Sequence, residues 1–145
     1  MKILVDADAC PVKDIIISCA KKYGIPVLMV TDVTHILTYD EDFVSVQTVD
    51  KGADSADLVI ANHATPADIS ITADYGLAAL LLAKRSVVIH PNGFFYSAET
   101  IDRMLFERHV SREMRKQRKF RGGKIKKRTT ADDAQFLKTL EYALS

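Results

Sequence analysis

Short apolar runs that end abruptly in an aspartate, each followed by a segment with helical spacing, constrain this chain more than any other feature. The first run is Ile3, Leu4 and Val5, uninterrupted, as suits a strand buried on both faces of a parallel sheet covered by helices. It ends in Asp6, with Asp8 two residues further on. If the chain stays extended through Ala7, both carboxylates project to the same side, close together. Two like charges held that near each other need a cation. Pro11 then falls where a first helical residue is expected, since its missing N–H has no partner to lose there.

The pattern recurs in order. Val12, Ile15, Ile16, Cys19 and Tyr23 repeat at helical spacing, and Gly24 supplies a stop before Pro26. Val27 to Val30 reads as a second buried strand, followed by Thr31 and the acid Asp32, and the segment from Val33 to Asp42 as loop. Phe43 to Val49 alternates like a half-exposed outer strand. Lys51 and Gly52 make a turn into a helix from Asp54 to His63, on which Asp54 and Asp57 share a face. Pro66 breaks that helix, and Ile69 to Ala73 forms a strand running into Asp74. Tyr75 to Lys84 reads as a buried helix and Val87 to Ile89 as a short strand finished by His90 and Pro91. Alternating strands and helices predict a mostly parallel α/β sheet with helices on both faces.

Beyond a loop from Pro91 to Ser97, a helix is expected from Glu99 to about Gln117, with Ile101, Met104 and Leu105 on its apolar side. Arg118 to Arg128, holding Gly122-Gly123, reads as a mobile segment. Thr130 with Asp133 resembles a capping box that opens a final helix burying Phe136, Leu137, Leu140 and Leu144. The expected organisation is one α/β domain over residues 1–117, with a basic segment and C-terminal helix, residues 118–145, packed on it.

At 145 residues the chain can bury enough core to fold without crosslinks. Its two cysteines, Cys10 and Cys19, are too few for a disulfide framework, which suits a reducing, cytoplasmic setting. No run approaches the ~20 apolar residues of a membrane span, and the N-terminus has no signal-peptide pattern.

Charge is divided sharply along the chain. Residues 1–102 carry 14 acids against 7 bases, a net of −7. Residues 103–128 carry 12 bases against Glu107 and Glu113, a net of +10. Such a basic arm on an acidic body points to a polyanionic partner, and the excess is larger than solubility requires. The candidate phosphate-binding residues are Arg108, Arg112, Arg115, Lys116, Arg118, Lys119, Arg121, Lys124, Lys126, Lys127 and Arg128. RNA is a better fit than DNA, held mainly through its backbone.

The acids indicate what happens to that partner. In an open parallel sheet the ligand crevice lies outside the carboxyl ends of the strands, and Asp6, Asp8, Asp32 and Asp74 all fall there. Asp54 and Asp57 join them if their helix points its N-terminal end at the same edge. Hard oxygen donors without accompanying histidines or thiols suit Mg²⁺ or Mn²⁺ rather than zinc. A cation between carboxylates and phosphate oxygens polarises the phosphate and activates a water.

The motifs Asp6-Ala-Asp-Ala-Cys-Pro-Val, Lys51-Gly-Ala-Asp-Ser-Ala-Asp-Leu, Asp68-Ile-Ser-Ile-Thr-Ala-Asp-Tyr-Gly-Leu-Ala, Pro91-Asn-Gly and Ile101-Asp102 resemble the YaiI/YqxD family of bacterial proteins across nearly the whole chain. That family is in turn similar to PIN-like and NYN nuclease domains. The resemblance implies a Rossmann-like (PIN-like) fold and a metal-dependent nuclease. It makes Asp6 and Asp74 metal ligands and Asp54 the central acid, these three being catalytic, with Asp8 and Asp57 as supporting ligands. The Asp6 to Pro11 segment is more elaborate than the single leading acid of PIN domains.

Each reading has a plainer rival. A lone acid at a strand end is commonly a turn former or helix cap, and it is the convergence of several that favours function. Cys10 is better read as a small packed residue than as a reactive thiol, and His90 as structural. Phe94, Phe95 and Tyr96 suit a core more than a base-stacking platform. Two other functions compete with the nuclease. An Asp-x-Asp after a first buried strand also occurs in haloacid-dehalogenase-like phosphatases, with Asp6 as nucleophile. A non-catalytic RNA-binding or ribosome-associated module would use the acids for folding alone.

Overall fold

The computed structural model describes residues 1–34, 37–52, 55–116 and 127–145. Five strands form one sheet: β1 (Ile3–Asp6), β2 (Val27–Asp32), β3 (Val44–Val49), β4 (Ile69–Ile71) and β5 (Val87–Ile89). Their order is β3-β2-β1-β4-β5 and every pairing is parallel. Strand order therefore reverses beside β1, between β1 and β4, which is where a parallel sheet opens its ligand crevice. The expected α/β class is observed, consistent with a Rossmann-like or PIN-like fold. β3 is an edge strand, as its alternation predicts.

The central strand has neighbours on both sides and helices on both faces, so Ile3, Leu4 and Val5 are fully buried. Its side chains alternate between two cores. Ile3 and Val5 pack with Ile16 and Cys19 of α1 (Lys13–Tyr23) and with Phe136 and Leu140 of α5 (Thr130–Leu144). Leu4 points the other way, toward Ile60 of α2 (Ser55–His63), Leu77 and Leu81 of α3 (Tyr75–Ala83) and Ile101 of α4 (Ala98–Lys116).

Local chemistry sets the ends. Gly24 adopts φ +66°, the left-handed conformation that closes α1, and Ile25 N donates to Ala20 O at 2.9 Å. Gly93 has φ +90°, and a Cβ there would lie 2.6 Å from the α5 backbone at Gln135 and Phe136. The close approach lets Thr139 Oγ1 donate to Gly93 O at 2.6 Å, which seats α5 against the β5–α4 loop. At the opposite edge of the sheet, Asp68 is buried and accepts from Lys2 N at 3.0 Å, Lys2 Nζ at 2.9 Å and both Thr65 donors at 2.9 Å. Burial opposes ionisation of Asp68, but the bonds from Lys2 and Thr65 outweigh it and lower its pKa.

Two expectations about geometry are corrected. Pro11 is not the first helical residue: it sits in a turn, and α1 starts at Lys13 after Val12. The capping box is one residue earlier than expected, with Thr129 N donating to Asp132 Oδ2 at 2.9 Å, while Asp133 pairs with Arg128. Among the described residues no helix is long and apolar enough to cross a membrane.

Candidate functional site

The site is assembled at the carboxyl edge on either side of the reversal point. Asp6 closes β1, and Asp74 caps α3 directly beyond β4. Between them stands Thr72, a buried polar residue directly after β4. Its hydroxyl donates to Asp6 Oδ2 at 2.9 Å and accepts from Asp74 N at 3.0 Å. Asp74 Oδ1 in turn accepts from Gly76 N at 2.8 Å and Leu77 N at 3.4 Å, satisfying two of the donors that a helix start leaves without partners.

One oxygen of each acid is thus held by the fold. Among the described residues, Asp6 Oδ1 and Asp74 Oδ2 accept no hydrogen bond, so these lone pairs are open to a cation or water. The acids also feel each other. Burial raises the pKa of Asp6, Thr72 opposes this, and the charges of Asp8 and Asp74 raise it further.

Asp8 is placed differently from the extended-chain expectation. The backbone winds into a 3-10 turn at Ala7–Ala9, which breaks the period-2 alternation that would have aligned Asp8 with Asp6. Asp8 Oδ1 accepts instead from Thr31 Oγ1 at 2.5 Å and from Asp32 N at 3.1 Å, tying the turn to the end of β2. Asp32 Oδ1 accepts from Thr34 N at 2.8 Å. Asp57 lies in the first turn of α2, which leaves β3 at this same edge and packs over β1 and β2. Asp54 falls outside the described residues.

Aromatic side chains back the crevice. Tyr96 is only 4% exposed, and among the described residues its hydroxyl has no hydrogen-bond partner. Burial raises its pKa, and the charges of Asp74 and Asp6 add to this, so it stays protonated. Its ring meets Phe94 edge-on, with centroids 5.4 Å apart, and Phe94 stacks on His90 at 4.5 Å. His90 Nδ1 accepts from Asn92 N at 2.9 Å, and burial followed by the Arg128 charge lowers its pKa to about 4. These rings are packed rather than displayed, with Phe95 the most exposed at 38%.

The basic candidates divide. Arg108, Arg112, Arg115 and Lys116 line a groove of about 460 Å³ along α4. Arg108 donates to the Tyr75 hydroxyl and lies 5.6 Å from its ring centroid. Arg128 is drawn into the fold: it donates to Asp133 Oδ1 at 2.8 Å, Asn92 Oδ1 at 2.8 Å and Pro91 O at 2.7 Å. Lys127 is exposed, while Arg118, Lys119, Arg121, Lys124 and Lys126 lie outside the described residues.

Sequence reasoning missed Thr72, Thr31 and Tyr75, which orient the charged groups. A signal existed for Thr72 and Thr31, since each is a polar residue at the end of a buried strand, within two positions of an acid.

The architecture defines a parallel α/β domain of 3-2-1-4-5 strand order with paired carboxylates at its reversal point. Within that class, the chain belongs to the YaiI/YqxD family, described as uncharacterised, whose model matches residues 4–145. It is 50% identical over 144 residues to a UPF0178 protein of Alkaliphilus oremlandii, covering 99% of this chain and 91% of the relative. It is 46% identical over 141 residues to one from Natranaerobius thermophilus, covering 97% and 94%. A Clostridium tetani relative is 40% identical over 147 residues, covering 99% and 97%. No solved structure matches the chain.

Proposed function

We propose that this protein is a metal-dependent nuclease, acting on RNA in preference to DNA at an acidic site that takes Mg²⁺ or Mn²⁺. The observation that carries the reading is the pair Asp6 and Asp74, each anchored through one carboxylate oxygen and open at the other.

The donor set fits a hard divalent cation. Among the described residues no three His, Cys, Asp or Glu side chains gather as a metal cluster. Mg²⁺ does not require one, because it keeps several waters and is commonly held by one or two carboxylates plus substrate phosphates. Asp6 and Asp74 would hold the ion, with Asp8, Asp57 and Asp54 as supporting acids. Once bound, it would polarise the phosphate and lower the pKa of an attacking water. The chain's own part is positioning. Thr72 fixes the Asp6 carboxylate, the start of α3 fixes that of Asp74, and the α4 bases neutralise the substrate backbone.

A phosphatase would ask Asp6 to act as nucleophile and Asp8, whose Oδ1 accepts from Thr31 and Asp32, to pass a proton to a leaving group.

The test is cleavage of labelled single-stranded RNA in Mn²⁺ by wild type, Asp6→Asn and Asp74→Asn, with calorimetric titration of Mn²⁺ in parallel. Each substitution should lower cleavage roughly 10²-fold or more, the scale of one electrostatic or acid–base partner, and should weaken Mn²⁺ binding. Unchanged cleavage in both variants places any active site elsewhere. RNA binding without turnover would leave a non-catalytic module, and a covalent acyl-phosphate on Asp6 would identify a phosphatase.

A further inference from the structure

The long helix α4 gives the acidic crevice a wall. Ile101 and Met104 pack in the same core as Leu77, Ala78 and Leu81 of α3, whereas Arg108 meets Tyr75, the residue that opens α3. Later residues of α4 thus meet earlier residues of α3. The two helices run antiparallel, and α4 climbs in the strand direction toward the carboxyl edge. Tyr75 directly follows Asp74, so Arg108 stands at the level of the acids. Eight more residues reach Lys116, and at about 1.5 Å each they carry the helix roughly 12 Å beyond that edge.

The inward face changes character as the helix leaves the body. Ile101, Arg108 and Arg115 are spaced by seven residues and so share a face, which is apolar and buried at Ile101 and basic from Arg108 onward. Arg112 and Lys116 lie beside it and, among the described residues, share the groove with Arg108 and Arg115. Phe106 projects from the opposite side and is 66% exposed. The basic row therefore overhangs the acids.

The geometry points to a rail: the distal turns of α4 grip the phosphate backbone of a single nucleic-acid strand and lead it down into the crevice at Asp6 and Asp74. For its destination, though not for its grip, this assignment rests on the nuclease reading above. Asp6 is half-buried at the foot of the wall. A duplex, with a persistence length of about 150 base pairs, does not bend a phosphate into such a corner, whereas a single strand does. At about 3.4 Å per stacked nucleotide, a 12 Å rail spans roughly three to four phosphates. Among the described residues four cations line it.

The experiment is fluorescence anisotropy of the full chain in EDTA, over a salt series, with a short single-stranded RNA and its duplex. The single strand should bind more tightly than the duplex at every salt concentration. The double variant Arg112→Ala/Arg115→Ala should lower the single-strand salt slope by about 1.4, two contacts at about 0.7 each. Phe106→Ser, on the outer side, should bind as wild type. Equal or tighter duplex binding, a wild-type slope in the double variant, or binding of neither nucleic acid overturns the rail. Because EDTA prevents metal-dependent turnover, the two ideas fail separately: absence of cleavage in Mn²⁺ with the predicted binding intact sinks the nuclease and leaves the rail.

Discussion

The Thr72 hydroxyl donates to Asp6 Oδ2 at 2.9 Å, so the acid that ends β1 is oriented by a residue from the end of β4, across the reversal point of the sheet. Its hold on the carboxylate is only partial compensation for a site crowded with like charge.

Asp6 carries the consequence for stability. Burial, and then the charges of Asp8 and Asp74 against the opposing Thr72 bond, raise its pKa above the ordinary 3.8. The folded acid thus binds its proton more tightly than the unfolded one. Stability of the metal-free protein should therefore fall as pH rises from 3.8 through the raised folded value. Asp6→Asn should flatten that decline and raise Tm in EDTA. Mn²⁺ at about 100 times its Kd should stabilise wild type by about 2.7 kcal/mol, or about 5–10 °C for a domain of this size. Melts that coincide for both proteins in both buffers would sink the metal site.

Asp74 serves two purposes that substitutions can separate. Asparagine replaces aspartate well as a helix cap, whereas alanine at such a position costs about 1 kcal/mol. Asp74→Asn should melt at or above the wild-type temperature in EDTA yet lose cleavage. Asp74→Ala should lose both. If Asn is as destabilising as Ala, the cap accepting from Gly76 and Leu77 does not explain why this residue matters to the fold.

For the basic arm the readout is salt. Replacing Arg115, Lys116, Arg118 and Lys119 together with alanine should weaken RNA binding across unrelated sequences. The single-strand salt slope should drop by up to about 2.8, four contacts at about 0.7 each. Asp74→Asn should leave binding unchanged or tighter by removing a repelling charge. An arm that only solvates the surface would give the fourfold variant a wild-type slope.

His90 predicts a sensitivity to acid. Its folded pKa of about 4, against an ordinary 6.5, means that the fold favours the neutral ring. The associated stability is complete above 6.5 and is lost as pH falls from there through about 4. Urea midpoints should decline over that interval, and His90→Gln, which keeps an acceptor near Asn92 N, should decline less. Parallel curves for the two proteins would place the sensitivity on another group.

The sheet was legible because parallel strands buried on both faces read as continuous apolar runs, as at Ile3 to Val5. The acids at their ends followed from the same pattern. What stayed hidden was set by contacts distant in sequence. Nothing near Asp8 signals that a 3-10 turn will aim it at Thr31, 23 residues away. Nothing beside Asp68 signals that it will pair with Lys2 across 66 residues. Arg128 looked like one more phosphate ligand until Pro91 and Asn92 came beside it. The capping box was misplaced by one residue because Thr129 and Thr130 are interchangeable in sequence, whereas only one fits the start of α5.

The three bonds made by Arg128 also bear on the loop behind the acids. Its guanidinium joins the start of α5, at Asp133, to the β5–α4 loop, at Pro91 and Asn92, so one side chain fastens two elements far apart in sequence. Lysine, a point charge without the planar fork, does not reproduce that three-way grip. In an Arg128→Lys protein the loop carrying His90 and Tyr96 would lean on the Thr139–Gly93 bond, and the wall behind Asp6 and Asp74 would loosen without any change in net charge.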